Sequence, residues 1–239
     1  SASSGCGRKS WRHRERKKAM TRKIESGEAI VLHSREGREG GKILSLFTMQ
    51  KGRMVMSLPR TVMARCGSGL TAPFSLIRYT ASVEGEYALL SQYEGHLLFD
   101  MMKLPYEDMA YWFYVIELSE KLFPQGEKDD GAYDTLLKAG FMGGKRNSLP
   151  LCFMTAVKLL AQSGFDAASP EEAEENHLSP EALSLLTAFR DYRWQGPFSR
   201  PISRKTFHEA AAYVENFVER VCDIRMHTKG AFMDKPFGA

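Results

Sequence analysis

Residues 41–60, GKILSLFTMQKGRMVMSLPR, decide how the N-terminal third of the chain is read. Lys42 to Met49 is an apolar run of strand length. Gln50-Lys51-Gly52 then supplies a turn. After it Met54, Met56 and Leu58 alternate onto one face, with Arg53, Val55 and Ser57 on the other. That period of two belongs to a half-buried strand. Cations stand at both ends: Lys42 opens the stretch, Lys51 and Arg53 flank Gly52, and Arg60 follows Pro59. The stretch is therefore a hairpin with positive charge at its rims.

The same pattern extends outward from the hairpin. EAIVLHSR (28–35) is a short strand ended by the glycine-rich turn EGREGG. CGSGLTAP is a second glycine-rich loop, and FSLIRYTASV and EYALLSQYEG give two more strands around Glu84-Gly85. Five short strands with glycine-rich connections fit a small closed barrel better than an open sheet, because closure leaves few exposed edges.

Past Pro105 the period becomes helical. YEDMAYWFYVIELSEKLF is apolar on most faces and predicts a central, largely buried helix. GAYDTLLKAG predicts a short helix ending at Gly140, and SLPLCFMTAVKLLAQSG another ending at Gly164. Ser169-Pro170-Glu171-Glu172 and Ser179-Pro180-Glu181 are helix starts, each an N-cap followed by a first-turn proline. Thr206 and Glu209 suggest a capping box ahead of the stripe Phe207, Ala210, Ala211, Val214, Phe217, Val218 and Val221. The expected organisation is a basic disordered extension over residues 1–19, a barrel over 20–99 and an all-helical domain over 100–239.

Charge divides the chain in the same place. Residues 1–19 carry seven Lys or Arg against one Glu, and residues 20–82 ten against four, so each segment has a net +6; residues 83–239 have a net −8. A basic third joined to an acidic remainder points to a polyanionic partner for the first part only. The opening SASSGCGRKSWRHRERKKAM has no apolar core of the kind a secretory signal needs. It is Arg-rich and acid-poor, as a transit peptide is, and reads equally as an extension ahead of Met20. No apolar run approaches the roughly 20 residues of a membrane-spanning helix. Cys6, Cys66, Cys152 and Cys222 are far apart with no CxxC pair, which suits reduced thiols in a cytoplasmic protein.

Catalytic signatures do not emerge. His13, His33, His96, His177, His208 and His227 are scattered without metal-ligand spacing. GFMGGK (140–145) has a faint likeness to a phosphate loop, but it follows a helix and lacks the Ser or Thr after Lys145. It reads as a helix-terminating glycine turn, and the chain as a non-enzyme without cofactor. The candidate nucleic-acid contacts are Arg35, Arg38, Lys42, Lys51, Arg53, Arg60 and Arg65, gathered in or beside the barrel loops and hairpin, with Phe74 and Tyr79 as available aromatics. A second cluster, FRDYRWQGPFSRPISRK (189–205), interleaves cations with aromatics. Arg190, Arg193, Trp194, Arg200 and Arg204 there are candidates for holding an acidic, hydrophobic peptide, since Arg pairs with carboxylates over an aromatic floor. Competing readings are an inter-helix loop at the second cluster, a protein-interaction scaffold whose barrel never touches DNA, and a nucleotide-using enzyme acting through GFMGGK.

Between about residues 27 and 233 the chain resembles the RecO family of bacterial recombination mediators. EAIVLHSREGREGGKILSLFTMQKGRMVMSLPR is similar to that family's opening strand, loop, LFT segment, charged turn and second strand. APFSLIRYTASVEGEYALLS, VIELSEKLFPQGE, YDTLLKAG, AVKLLAQSGFD and RMHTKGAFMD follow in the family's order and spacing. The resemblance implies an N-terminal OB-fold barrel and a helical domain. It implies binding of single- and double-stranded DNA, annealing of complementary strands, and assistance to RecA loading on DNA coated by single-strand-binding protein. RecR and the acidic tail of single-strand-binding protein are the implied partners, RecA an indirect one, and the implied place is the cytoplasm at the nucleoid. Many relatives carry a four-cysteine zinc module where this chain has AASPEEAEENHLSPEA, so no zinc module is expected. GREGG replaces the family's acidic first-loop motif, and LCFM stands where an Arg-containing stretch is expected.

Overall fold

The computed structural model of the chain describes residues 23–85, 87–196, 198 and 201–233. The basic extension (1–19) and Arg200 lie outside the described residues. Five strands, β1 (Lys23–Glu36), β2 (Lys42–Thr48), β3 (Gly52–Leu58), β4 (Ser75–Glu84) and β5 (Tyr87–Leu97), close on themselves in the order β1-β2-β3-β5-β4. All neighbours are antiparallel except β3 and β5, which run parallel with Ser57 opposite Leu89. β1 is long enough to serve both ends of the closure: its first half pairs with β4 and its second with β2. The result is an OB-like barrel.

Ala29, Val31, Leu44, Leu46, Met54, Met56, Leu58, Ile77, Tyr79 and Leu90 fill the barrel interior. One end is stoppered by α1 (Arg60–Cys66) and a following 3-10 turn (Ser68–Thr71), with Val62, Met63, Cys66 and Leu70 packed onto that interior. The sequence reading had no helix here. RTVMARC buries only Val62, so seven residues show no usable period. β1 also starts five residues before Glu28, through polar positions that alternation does not mark.

Six further helices follow among the described residues: α2 (Tyr106–Leu122), α3 (Asp130–Met142), α4 (Ser148–Gln162), α5 (Pro170–Glu175), α6 (Pro180–Asp191) and α7 (Arg204–Arg220). α4 is the most enclosed, with Leu149 and then every residue from Leu151 to Leu160 buried. Ser169 and Ser179 cap α5 and α6 as expected, each hydroxyl accepting a backbone N–H three residues on. The Thr206–Glu209 capping box is a correction. Ser203 is the N-cap of α7, its hydroxyl accepting from Thr206 N, while Glu209 accepts from the backbone N–H (2.7 Å) and hydroxyl (2.8 Å) of Ser179 at the start of α6.

A second correction is the non-helical end. Residues 222–233 lie across α2 and α7 as a strap, fastened by the Glu117 carboxylate. That carboxylate accepts from His227 N (2.7 Å), Thr228 N (2.9 Å) and the Thr228 hydroxyl (2.7 Å), and pairs with Lys121 at 2.7 Å. Phe232 plugs the core beside Tyr111, Tyr114 and Phe153.

Barrel and helices share one apolar cluster. Ile30, Leu32, Phe47 and Phe74 from the barrel wall are fully buried in the same cluster as Trp112, Phe123 and the helical core. The Phe74 ring sits 4.8 Å from Trp112 and 5.1 Å from Phe99 by centroid, and Phe47 meets Phe123 edge-on at 5.5 Å. The β2–β3 turn is held down as well. Gly52 takes φ 60° beneath residues 127–128, where an added Cβ would come 1.9 Å from the Glu127 carbonyl oxygen. Gly143 and Gly144, the glycines of GFMGGK, end α3 over Phe99; a Cβ on Gly143 would meet that ring at 2.3 Å. Close packing is what those glycines serve.

Candidate nucleic-acid interface

The outer surface of β1, β2, β3 and β5 forms a shallow floor. The pairings Arg35–Ile43, Ile43–Ser57 and Ser57–Leu89 make one row across four strands. His33–Ser45 and Ser45–Val55 make a second row beside it. Tyr87 stands two residues before Leu89 on β5 and so faces the same way, since the intervening Ala88 is buried inside the barrel. Tyr87 as a residue is 70 % exposed. The next row, Phe47–Arg53, is covered by the end of α2. The helical unit therefore shuts one side of the barrel face on which OB folds usually hold oligonucleotides, and leaves a groove on the rest.

His33, Arg35, Ile43, Ser45, Arg53, Val55, Glu120 and Lys121 enclose this groove, about 340 Å³ in volume. Arg53 donates Nε–H to the Phe123 carbonyl at 3.0 Å, so its guanidinium is fixed at the groove wall. Lys121 enters from α2 and is held by Glu117 and by the Arg225 carbonyl. On the far side of the floor, Arg60 opens α1 against the β1–β2 loop that carries Arg38: a Cβ on Gly40 would stand 3.4 Å from the Arg60 Cδ. The side chains of Arg35, Arg38 and Arg60 make no hydrogen bond or ion pair among the described residues.

The seven sequence-selected cations do not converge. Lys51 lies at the opposite end of the β2–β3 hairpin from Lys42, about 20 Å away along the strands, and its ammonium is tied to Glu25 at 2.6 Å. Lys42 donates to the Thr71 hydroxyl at 3.0 Å, and Arg65 to the Ser91 carbonyl at 2.7 Å. Phe74 and Tyr79 are buried and offer no stacking surface. What the structure brings together is Arg35 and Arg53 with Lys121 and His33. Lys121 went unselected because only the docking of α2 on the barrel puts it there; His33 stands on β1 itself, two residues before Arg35, and went unselected because a lone histidine carries no spacing signal.

Glu120 sits among these cations. His33 Nδ1 donates to it at 2.9 Å, and the Ser45 hydroxyl donates to the same oxygen. Burial pushes the Glu120 carboxyl up, but the hydrogen bonds from His33 and Ser45 outweigh it and leave the group below its usual value. The hydrogen bond to Glu120 in turn lifts His33 above the ordinary histidine value, against the opposing effect of burial. The imidazolium is thereby favoured in the groove.

The second cluster is largely committed. Arg190 pairs with Asp166 (2.7 Å) and Asp191 (2.8 Å), and Trp194 lies under the Lys158 ammonium at 5.6 Å. Arg204 stands 3.4 Å from His208, and Arg193 projects into solvent. An apolar cavity of about 360 Å³ opens beside them, lined by Met154, Phe189, Tyr192, Phe198 and Ile202, with Arg146 at its edge. Among the described residues, Arg190, Arg193 and Arg204 do not line it; Arg146, which follows GFMGGK, does. No helix among the described residues is long and apolar enough to cross a membrane.

An OB-like barrel with a cationic groove, joined through a shared core to a helical unit, is the class of protein that fold and site define. No family model matches the chain. It is 33% identical to the DNA repair protein RecO of Pelotomaculum thermopropionicum over 116 residues, 48% of this chain and 45% of that protein. It is 29% identical to the DNA repair protein RecO of Desulforudis audaxviator over 140 residues, 58% of this chain and 56% of that protein. The chain thus spans about half the length of the curated relatives it matches. Over those stretches the chain is similar to two RecO proteins.

Proposed function

We propose that the chain is a DNA-repair and recombination adaptor that binds DNA on the outer face of its barrel and carries out no bond-making step. The observation that carries this reading is the row Arg35–Ile43–Ser57–Leu89 with Arg53, Lys121 and His33 around it. Cations around a pale floor neutralise phosphates without reading bases, so affinity is sequence-independent and falls steeply with salt. Duplex DNA meets the same charges, and annealing follows where two strands are held on one cationic surface. Loading of RecA on DNA coated by single-strand-binding protein, with RecR as partner, completes the role that the resemblance implies.

The acidic tail of single-strand-binding protein finds its complement in the apolar cavity beside α6, its carboxylates toward Arg146 and its apolar side chains against Phe189 and Phe198. A second reading, a scaffold that binds only protein, draws on the apolar groove along α2, where Tyr106 and Phe113 are 84 % and 44 % exposed.

Charge reversal separates the two readings. Arg35→Glu with Arg60→Glu should abolish salt-sensitive binding to a bare oligonucleotide, while Lys51→Glu leaves most of it. Equal binding by wild type and the double variant would reject the barrel face as the DNA site.

A further inference from the structure

The groove is chemically lopsided across its width. On the side toward α2 it presents Arg53 of β3 and Lys121 of α2, while its floor of Ile43, Ser45 and Val55, with Arg35 at one end, continues along the strand rows through Ser57 and Leu89 to the outward Tyr87. A polyanion with uniform charge on both flanks, such as a duplex, has no use for a floor that beyond Arg35 is uncharged and ends in an exposed aromatic ring. A single strand does: it carries phosphates on one edge and flat apolar bases on the other. Base–aromatic stacking contributes about as much per base as a well-placed ion pair, and tolerates any base.

Resting on the DNA-binding reading above, we propose that the groove holds a single strand edge-on, with phosphates along Arg53 and Lys121 and bases over the β2–β3 floor, one of them stacked on Tyr87. The alternation along β5 carries this assignment. Ala88 and Leu90 point into the barrel, so Tyr87 and Leu89 point out, and Leu89 is in register with Ser57 on the floor. Charge complementarity chooses a nucleic acid over an apolar peptide here. Four basic groups, His33, Arg35, Arg53 and Lys121, line it with one acid, Glu120, which His33 and Ser45 already occupy; Lys121 is shared with Glu117 behind it, and Arg35 is left without an acidic partner among the described residues. Tyr87 thereby sets selectivity for single strands over duplex, in which bases are stacked on one another and shielded.

The test uses the full chain and three probes: an oligothymidylate of roughly 15 nucleotides, an abasic strand of the same length, and a duplex of that length. Tyr87→Ala should weaken oligothymidylate binding about tenfold, leave its salt slope unchanged, and leave abasic-strand and duplex affinity unaltered. Tyr87→Phe should restore oligothymidylate binding. In Tyr87→Trp, saturating oligothymidylate should change the indole emission and the abasic strand should not. Tyr87 is solvent-exposed, so the fold tolerates all three changes; thermal melts verify this. Equal wild-type affinity for the oligothymidylate and the abasic strand, or an inert Tyr87→Ala, would overturn the stacking assignment while salt-sensitive binding persists. If no probe binds in a salt-sensitive way, the DNA-binding reading itself falls, and this one with it.

Discussion

Replacing Phe74 by alanine tests whether barrel and helices unfold as one body. The ring is fully buried, lies 4.8 Å from Trp112 and 5.1 Å from Phe99, and joins the barrel wall to the helical core. Phe74 also holds a φ of 59°. Alanine keeps that backbone strain, so the energy lost is packing alone. Truncating a buried phenylalanine costs about 4 kcal/mol, and a chain of this length loses roughly 2–3 kcal/mol of stability per molar urea. The midpoint should therefore fall by about 1.3–2 M. Urea titration followed at once by far-ultraviolet circular dichroism and by tryptophan emission should give coincident curves before and after the change, the whole transition moving together. Phe74→Leu, which preserves most of the volume, should shift it by less than half as much. Two separate transitions in the wild type, or a variant in which only one signal moves, would refute the shared-core argument and leave the barrel and helical parts independent.

Two further outcomes follow from local geometry. Glu117 is held down to about 2: burial alone pushes it up, but Lys121, the His227 and Thr228 amides and the Thr228 hydroxyl more than offset this. A depressed carboxyl stabilises the fold above its unfolded value near 4.5 and loses that contribution as pH falls toward 2, a difference of about 3 kcal/mol. Thermal melts from pH 7 to pH 2 should show Glu117→Gln less stable at neutrality and flatter in acid; parallel profiles would reject Glu117 as the fastening of residues 222–233. Gly52→Ala should cost about 2 kcal/mol or more, because the new methyl meets the Glu127 carbonyl oxygen and φ is 60°; an unchanged melting temperature would show that the turn is not pinned there.

Much of the fold was legible because period and punctuation agree. Alternation at Met54, Met56 and Leu58 marked β3, and Ser169-Pro170 and Ser179-Pro180 marked two helix starts, since these signals act within a few residues. Failures came where the deciding partner is distant. Glu209 has the right spacing for a capping box with Thr206, yet its carboxylate goes to Ser179, thirty residues away in sequence. α1 is too short and too exposed to show a stripe. The site was legible only as a composition. A basic segment names a polyanion partner, but whether Lys51 faces the same way as Arg35 depends on strand register, and Lys121 joins the groove only through the way α2 docks.

The anchored β2–β3 turn has a consequence for how this barrel can change. A hairpin tip is ordinarily where a chain accepts extra residues at little cost, but this one is roofed by residues 127–128 and sealed at Gly52. Length variation is left to the β1–β2 and β4–β5 connections, which carry Arg38 and lead into Tyr87 and so border the groove on two sides. Insertions that reshape what the groove accepts have two places to enter, and neither disturbs the seam with the helices.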